Sequence, residues 1–288
     1  MKWSEYAMVR GGVTLFVLLG FLSVGCQPKQ NPEIYTPDGT GDPALLECPK
    51  VRGGEGNFFI THRVEKGMRV NYSLEYDSKQ HHALWVCFSF DSHTREVNVK
   101  RTNAWGWDPF IPNQYKVDHT SFKGYDRGHL VASYDRVYSA EANKQTFYYS
   151  NMSPQKAAFN QVAWQQLEEI VQGWARNPEL TDKMYIAKGG TLTPKGIYPT
   201  LAGGKISVPR NYWMAVLAEK NGMWRALGFW ISHEARSRQE QGVGSLACSI
   251  DELEEYTQFD FFHNLDDAIE QKVEATSPKD CSHLWPGL

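Results

Sequence analysis

The stretch Asp126-Arg127-Gly128-His129 brings a carboxylate, a guanidinium and an imidazole within four consecutive residues. Arginine offers a planar fork of donors that matches phosphate oxygens, and histidine is the side chain best suited to take up a proton near neutral pH. Glycine lets a ligand or a neighbouring backbone approach closely. The tetrapeptide therefore indicates chemistry on a phosphate. A surface Asp–Arg pair beside a satisfied histidine explains the same residues equally well when they are taken alone.

A second candidate lies in a helix predicted over residues 158–175, where an amide occupies a position that favours an apolar side chain. Asn160 precedes Leu167 by two helical turns, which bring the two residues to within roughly 20° of each other on the apolar stripe. A buried amide must be satisfied, and its oxygen is a ligand suited to Mg²⁺ or Ca²⁺. Glu168 lies near the margin of the same face, so the two side chains could hold a hydrated divalent ion. The alternative is that Asn160 caps the helix and Glu168 is solvated.

Hydrophobic periodicity predicts the elements that must position these residues. A second helix is predicted after Ser249, because Ser249 and Glu252 match a capping box. Strands and helices do not alternate regularly, so we expect an α+β fold with a central, mostly antiparallel sheet rather than a doubly wound parallel one. The strands are predicted at residues 58–64, 70–76, 82–90, 147–149, 183–187, 212–218 and 225–231.

The composition is that of an ordinary globular chain. Of the 288 residues, 41% are hydrophobic and 22% are charged, which is enough for one large domain or two small ones. The formal net charge of -3 gives no support to a sequence-reading DNA-binding protein, because such proteins are usually strongly basic. It does not exclude an enzyme that contacts a few phosphates. The sequence contains no GxSxG motif, P-loop or dinucleotide-binding fingerprint.

Residues 1–25 predict a targeting signal. A basic start is followed at residues 13–24 by an apolar run too short to span a bilayer comfortably. Small residues precede Cys26, which favours a bacterial lipoprotein signal with a lipid on Cys26. An ordinary signal peptide and a retained N-terminal anchor are the alternatives. We expect a flexible tether over residues 26–46 and a single domain over residues 47–288. The protein would then be exported to a bacterial envelope and touch the membrane only through the lipid, or else be secreted.

The remaining cysteines suggest disulfide bonds, since an exported chain with an even number of cysteines commonly pairs them. Four cysteines allow three pairings. We favour Cys248 with Cys281, which would tie down the C-terminal tail, and Cys48 with Cys87. No CxxC pair occurs, so a zinc or redox cysteine site is not expected.

Several blocks, taken in their order and spacing, resemble the DNA/RNA non-specific endonuclease family, a group of ββα-metal nucleases. The resemblance covers most of the chain from about residue 60 onward. It implies a ββα-metal active-site motif, with helices packed on the sheet. The blocks are Asp126-Arg127-Gly128-His129, residues 150–155 (Ser-Asn-Met-Ser-Pro-Gln), Phe159-Asn160-Gln161 with Trp164, and Leu167-Glu168.

The resemblance also implies a role for each candidate residue. His129 matches the general base that deprotonates the attacking water. Asn160 matches the protein ligand to a Mg²⁺ ion that keeps most of its waters, and Glu168 matches the carboxylate that holds this water shell. Arg127 matches the arginine beside the phosphate. The implied reaction is Mg²⁺-dependent hydrolysis of DNA and RNA with little sequence specificity, and Mn²⁺ is a candidate substitute metal.

Two further residues are assigned by the same resemblance. Asn151 matches the asparagine near the catalytic histidine, and Arg101 matches an upstream phosphate-binding arginine. The rival hypothesis is an envelope lipoprotein that keeps the fold but only binds nucleic acid or another polyanion. The presence of a base, a metal ligand and a phosphate-binding arginine argues against this rival. The sequence does not fix the oligomeric state, and it allows a homodimer.

Overall fold

An antiparallel sheet of seven strands dominates the computed structural model, which describes residues 42–238 and 242–288. Every pair of neighbouring strands in this sheet is antiparallel, as the sequence predicted. The strands lie in the order β1 (Asn57–Val64), β2 (Arg69–Asp77), β3 (His82–Phe90), β6 (Lys183–Gly190), β7 (Asn211–Lys220), β8 (Met223–Ser232) and β9 (Ala247–Cys248). A separate two-stranded sheet consists of β4 (Asp126–His129) and β5 (Met152–Gln155).

Most strands lie where the apolar periodicity predicts them. The strand over residues 82–90 has the predicted bounds, and five others are present and one to three residues longer than predicted. The strand predicted at residues 147–149 is wrong. Those residues form a turn that leads into a 3₁₀ turn at Tyr149–Asn151, and Tyr148 makes only an isolated bridge to Gly106. Strands β4, β5 and β9 were not predicted.

The helices lie on both faces of the large sheet. The capping box predicted at Ser249 is confirmed, since the Ser249 side chain accepts from the Glu252 backbone and the Glu252 side chain accepts from the Ser249 backbone. The helices are α1 (Ala140–Gln145), a π-helical turn (Phe159–Trp164) that continues into α2 (Gln165–Arg176), α3 (Ile250–Thr257), α4 (Asp267–Glu274) and α5 (Pro278–Cys281). Short 3₁₀ turns lie at Asn113–Tyr115, His119–Phe122, Ser133–Arg136, Tyr149–Asn151, Gly244–Leu246 and Ser282–Leu284.

Alternation along the central strands creates two cores, one on each face of the sheet. On β3, Val86 and Phe88 point into the core that α2 covers, together with Leu167. Trp85 and Cys87, which alternate with them, point into the opposite core, which α3 and α4 cover. Burying both faces removes apolar area from water on each side, which is the main force that holds the layers together. The helix that carries the predicted metal ligand therefore packs on one face, and the C-terminal helices pack on the other.

The four cysteines of the described chain are buried free thiols. The pairing of Cys248 with Cys281 is wrong in this structure, because Cys248 lies in the core under α3 and Cys281 lies in the core on the other side of the sheet. The Sγ atoms of Cys48 and Cys87 are 3.1 Å apart, so these two thiols are in contact. A disulfide between Cys48 and Cys87 stays a prediction.

The predicted signal peptide over residues 1–25, the lipidation site Cys26 and most of the predicted tether lie outside the described residues. The end of that tether is described, and it packs. Leu45 and Leu46 contact the core under α3, and the Asn264 side chain donates to the carbonyl of Pro43 at 2.8 Å. The last residues of the range 26–46, which was predicted to be a flexible tether, therefore pack against the domain. Within residues 42–238 and 242–288, no helix has the length and apolar character needed to cross a membrane.

Candidate functional site

The small sheet holds the Asp126–His129 segment against β5. The two strands pair antiparallel, with Gly128 opposite Ser153 and His129 opposite Met152. Strand β5 is in turn tied to the large sheet, because Ser153 Oγ lies 2.7 Å from His82 Nε2 and 2.6 Å from Tyr212 Oη. These buried polar contacts fix β5, and hence β4, on the large sheet. The chain then enters the π-helical turn and α2, so the local arrangement is strand, strand, helix.

Gly128 is required by a close approach between the two short strands. A Cβ atom on this residue would lie 2.0 Å from Gln155 Oε1 and 2.2 Å from Gln155 Cδ. No side chain fits at that distance unless Gln155 moves, and Gln155 is fully buried. The glycine of the tetrapeptide therefore lets β4 approach β5, while its neighbours on either side, Arg127 and His129, face a cleft.

Most of the predicted site residues line this one cleft, which has a volume of about 610 Å³. Residues far apart in sequence meet there, from the loop before β4, from β4 itself and from the helix. The predicted residues in its wall are Arg101, Arg127, His129, Asn160 and Glu168. Asn151 is not among the lining residues.

The imidazole of His129 is held in its neutral form. Its ring lies between two aromatic rings, 5.6 Å from that of Trp105 and 5.0 Å from that of Phe147 between centroids. Burial lowers the pKa of His129 to about 3, and the charges of Arg101 and Arg127 act in the same direction. Nε2 is buried without a hydrogen-bond partner among the described residues. Nδ1 is therefore the ring nitrogen available to a water in the cleft.

The amide of Asn160 is oriented by Asp126. Asn160 Nδ2 donates to Asp126 Oδ2 at 3.0 Å, and Gln161 Nε2 donates to the same oxygen at 2.8 Å. With its NH₂ group held in this way, the Asn160 amide keeps its Oδ1 oxygen for another ligand. Asn160 is not the helix cap, since Ala158 is the N-cap residue and makes no side-chain cap bond.

The π-helical turn corrects the predicted place of Asn160. A π turn closes with i→i+5 bonds and adds a residue to the helix turn, so α-helical spacing does not apply across it. The buried residues of this turn are Phe159, Ala163 and Trp164. Asn160 is half-buried and faces the cleft instead of lying on the apolar stripe. Asn160 is therefore a candidate metal ligand because it lines the cleft, and not because it lies on the apolar stripe of the helix.

Glu168 belongs to a buried ionic network that the sequence did not reveal. Lys188 Nζ donates to Glu168 Oε1 at 2.9 Å and to Asp135 Oδ2 at 3.1 Å. The exposed fraction of the side chain is 2% for Lys188 and 14% for Glu168, so Glu168 is not a solvated surface residue. Burial lowers the pKa of Lys188, but the two carboxylates more than offset it, so the pKa lies above its ordinary value. Lys188 lies within the mostly apolar strand β6, and a lysine at such a position is the sequence feature that could have indicated this network.

The two arginines of the cleft stack on aromatic rings. The guanidinium carbon of Arg127 lies 3.8 Å from the Trp105 ring centroid, and that of Arg101 lies 4.6 Å from the Phe147 centroid. Burial and the positive charge of Arg127 lower the pKa of Arg101. Neither arginine forms an ion pair with any carboxylate of residues 42–238 and 242–288. Two uncompensated guanidinium groups on a cleft wall are suited to an anion such as a phosphate.

Asn151 has a structural place behind the site. Its side-chain oxygen accepts from the Val131 backbone at 2.8 Å, and its Nδ2 donates to the carbonyls of Val131 and Thr146 at 2.9 and 2.8 Å. The side chain is fully buried, and these three bonds use both of its polar atoms. Asn151 thereby holds the chain just after His129, so its contribution to the site is positional.

The donor set of the cleft fits a hydrated divalent cation. Asn160 Oδ1 is an amide oxygen, and the Glu168 carboxylate lies on the same helix and the same wall. Both are hard oxygen ligands, which Mg²⁺ and Mn²⁺ accept, and Mg²⁺ in particular keeps several waters and few protein ligands. The buried Lys188 offsets part of the negative charge, so Glu168 is better placed to hold a water shell than to neutralise an ion alone.

Comparison with known sequences identifies relatives over most of the chain. The family model of the DNA/RNA non-specific endonucleases matches residues 61–268. A nuclease from Nostoc sp. (strain PCC 7120 / SAG 25.82 / UTEX 2576) is 28% identical over 279 residues, which are 88% of this chain and 93% of the relative. Mitochondrial endonuclease G from Bos taurus is 26% identical over 196 residues, or 63% of this chain and 64% of the relative. The chain thus spans less than two thirds of the bovine protein.

Comparison with solved structures agrees with the fold. A chain in the crystal structure of the EndoG/EndoGI complex superposes with a TM-score of 0.63 at 18% sequence identity. The superposition covers 75% of this chain and 91% of that one. At this identity the likeness concerns the fold alone, an α+β arrangement with a large antiparallel sheet.

Proposed function

Because the chain belongs to the DNA/RNA non-specific endonuclease family, we propose that it hydrolyses phosphodiester bonds of both DNA and RNA with little sequence specificity. The chain is a hydrolase of the endonuclease class, and its family is metal-dependent. Mg²⁺ is the proposed metal, with Mn²⁺ as a substitute. The observation that carries the proposal is the convergence of a neutral histidine, a held amide and two unpaired arginines on one cleft.

The proposed base is His129. Its low pKa keeps the imidazole neutral at physiological pH, so Nδ1 has a free electron pair to accept a proton from a water beside the phosphate. The aromatic rings of Trp105 and Phe147 hold the imidazole in place and restrict its rotation. A positioned base typically contributes about 10²–10⁴-fold to the rate.

The arginines of the cleft and its candidate metal ligands have different proposed roles. Arg127 and Arg101 bind the phosphate and stabilise the negative charge that grows on it during attack. Asn160 and Glu168 would hold the metal, Asn160 directly and Glu168 through water. When bound, Mg²⁺ supplies Lewis-acid stabilisation of the same developing charge. Contacts of this kind address the backbone of the nucleic acid rather than its bases, which accounts for tolerance of sequence and sugar.

The direct test of this function uses purified protein with supercoiled plasmid DNA and with a structureless RNA. We expect nicking and then degradation of both substrates in Mg²⁺, and no cleavage in EDTA. The rival function, binding of a polyanion without cleavage, predicts retarded migration of the nucleic acid but intact substrate in every divalent ion. Cleavage of DNA but not of RNA would support the endonuclease function and contradict the proposed activity on both substrates.

For the location of the enzyme, we propose export and lipidation at Cys26, as the sequence of the first residues suggests. Labelling with a radioactive or clickable fatty acid in a bacterial host tests this. We expect label on the wild-type chain and none on Cys26→Ser. Label-free protein in the culture medium would favour an ordinary signal peptide instead.

A further inference from the structure

A group of carboxylates lies on the face of the sheet opposite the cleft. Asp251 and Glu254 project from α3, three residues apart and therefore on one side of that helix. Glu274 is the last residue of α4. One carboxylate oxygen from each of the three lies within 4.8 Å of the others. Leu253 and Val273, beside them in the chain, anchor both helices in the core remote from α2.

Glu274 is buried, and one oxygen of its carboxyl group has no partner among the described residues. Only 8% of the residue is exposed, and its Oε1 atom has no hydrogen-bond partner among residues 42–238 and 242–288. A buried carboxylate oxygen without a donor is costly, and such groups are normally paired or bound to a metal. Its position adds to the cost, because the C-terminal end of a helix carries the negative end of the helix dipole.

The surrounding charges do not compensate the group. In the described part of the chain, no lysine, arginine or histidine forms an ion pair with Asp251, Glu254 or Glu274. Lys50, whose charge acts on the neighbouring Glu270, is paired with Asp260 instead. Burial and the charges of Glu254 and of Glu270 raise the pKa of Glu274 to about 8. At neutral pH Glu274 therefore carries a proton for most of the time, and a divalent cation that binds there would replace this proton.

We propose that Asp251, Glu254 and Glu274 form a second divalent-cation site, of the Ca²⁺ type, that fastens α3 to α4. Ca²⁺ binds oxygen ligands at about 2.3–2.6 Å, so two oxygens on one ion are at most about 5 Å apart. The 4.8 Å spread of the three oxygens meets this limit. Glu254 Oε1 already accepts from the Phe261 backbone at 2.7 Å, which orients that carboxylate. The exposure of Asp251 gives waters access to the remaining coordination positions.

The site is structural and separate from catalysis. Its ligands come from the helices that cover one core, whereas Asn160 and Glu168 belong to the helix that covers the other. An ion bound only by the folded chain stabilises it by mass action. We therefore expect Ca²⁺ to raise the unfolding temperature of the full chain, by an amount that grows with Ca²⁺ concentration.

Calorimetric titration with CaCl₂ on the full chain tests the site, with Asn160→Ala as the background that removes the catalytic candidate. We expect one Ca²⁺ per chain in Asn160→Ala, and no such binding when Glu274→Gln is added. Glu255→Gln is the matched control, because Glu255 is exposed on α3 and outside the group, and it should leave the binding unchanged.

A second variant, Asp251→Asn, tests the same site in case Glu274→Gln misfolds. Asp251 is exposed, so Asp251→Asn preserves the fold and should weaken Ca²⁺ binding at least ~10-fold, since ligand charge tunes Ca²⁺ affinity. The Ca²⁺-dependent rise in unfolding temperature should shrink in parallel. The proposal is overturned if Asn160→Ala binds no Ca²⁺, or if Asp251→Asn and Glu274→Gln bind it as tightly as Glu255→Gln does.

Discussion

Asp126 Oδ2 accepts a hydrogen bond of 3.0 Å from Asn160 Nδ2, so the first residue of β4 sets the orientation of an amide on the helix. Residues 34 positions apart in the chain are thereby joined. The bond gives the aspartate of the tetrapeptide a definite function. It holds the NH₂ group of Asn160, a residue of the cleft wall, and leaves the amide oxygen for the proposed metal.

The first prediction concerns this bond. Asp126→Asn keeps the size of the side chain but removes the charge that holds the Asn160 amide, which can then rotate. We expect the Mg²⁺ concentration for half-maximal cleavage to rise about 10–100-fold, the usual effect of losing a residue that orients a metal ligand. Asp267→Asn, an exposed aspartate on α4, is the control. An unchanged Mg²⁺ requirement in Asp126→Asn would show that the bond has no part in metal binding.

The second prediction concerns the approach of the two short strands. Gly128→Ala places a Cβ against the buried Gln155 side chain, and overpacking of this kind costs about 1–3 kcal/mol. We expect a lower free energy of unfolding and weaker cleavage, with both partly restored by adding Gln155→Ala. Gly173→Ala is the contrasting variant, because Gly173 lies in α2 with open space around it. It should stabilise the protein by about 0.5–1 kcal/mol. Equal effects of the two alanine substitutions in urea unfolding would refute the steric argument.

The third prediction concerns the buried lysine. Lys188→Met leaves the carboxylates of Asp135 and Glu168 without their counter-ion, and removing one partner of a buried ion pair costs about 3–5 kcal/mol. We expect a fall of this size in the free energy of unfolding, together with slower cleavage because Glu168 loses its fixed position. Lys183→Met is the control on the same strand, since Lys183 is exposed. If chemical denaturation gives the same stability for both variants, Lys188 does not support the network.

The fourth prediction concerns the protonation of His129. Its pKa of about 3 implies a neutral ring from pH 8 down to pH 5, whereas an ordinary histidine takes up a proton near pH 6.5. Between those two pKa values the unfolded chain binds more protons at this position than the folded chain does. The free energy of unfolding therefore falls progressively as the pH drops below about 6.5. NMR of the imidazole nitrogens measures the ring directly. Titration of His129 with a midpoint near 6.5 would contradict the buried environment.

The sequence predicted the large sheet well because its strands alternate apolar residues over long runs. Strands β4 and β5 escaped prediction, since Asp126–His129 and Met152–Gln155 are mostly polar and are fixed by contacts to distant residues such as His82 and Tyr212. The π turn escaped for a related reason. Periodicity alone does not reveal an extra residue in a helix turn.

The sequence predicted five residues that line the cleft, but not the contacts that hold them there. Arg101, Arg127, His129, Asn160 and Glu168 do meet in one cleft, as their resemblance to the family implied. The bond from Asp126 and the network around Lys188 depend on three-dimensional proximity between residues far apart in sequence. The same limit explains the wrong pairing of Cys248 with Cys281, because sequence spacing does not say on which face of a sheet a cysteine lies.

The most direct test of the central claim is the rate of plasmid cleavage by His129→Ala in saturating Mg²⁺. The control is His119→Ala, which removes an exposed histidine outside the cleft. We predict that His129→Ala binds the plasmid, folds as the wild type does, and cleaves about 10²–10⁴-fold more slowly, the contribution of a positioned general base. His119→Ala should cleave at the wild-type rate. Cleavage by His129→Ala at that same rate would contradict the assignment of His129 as the base.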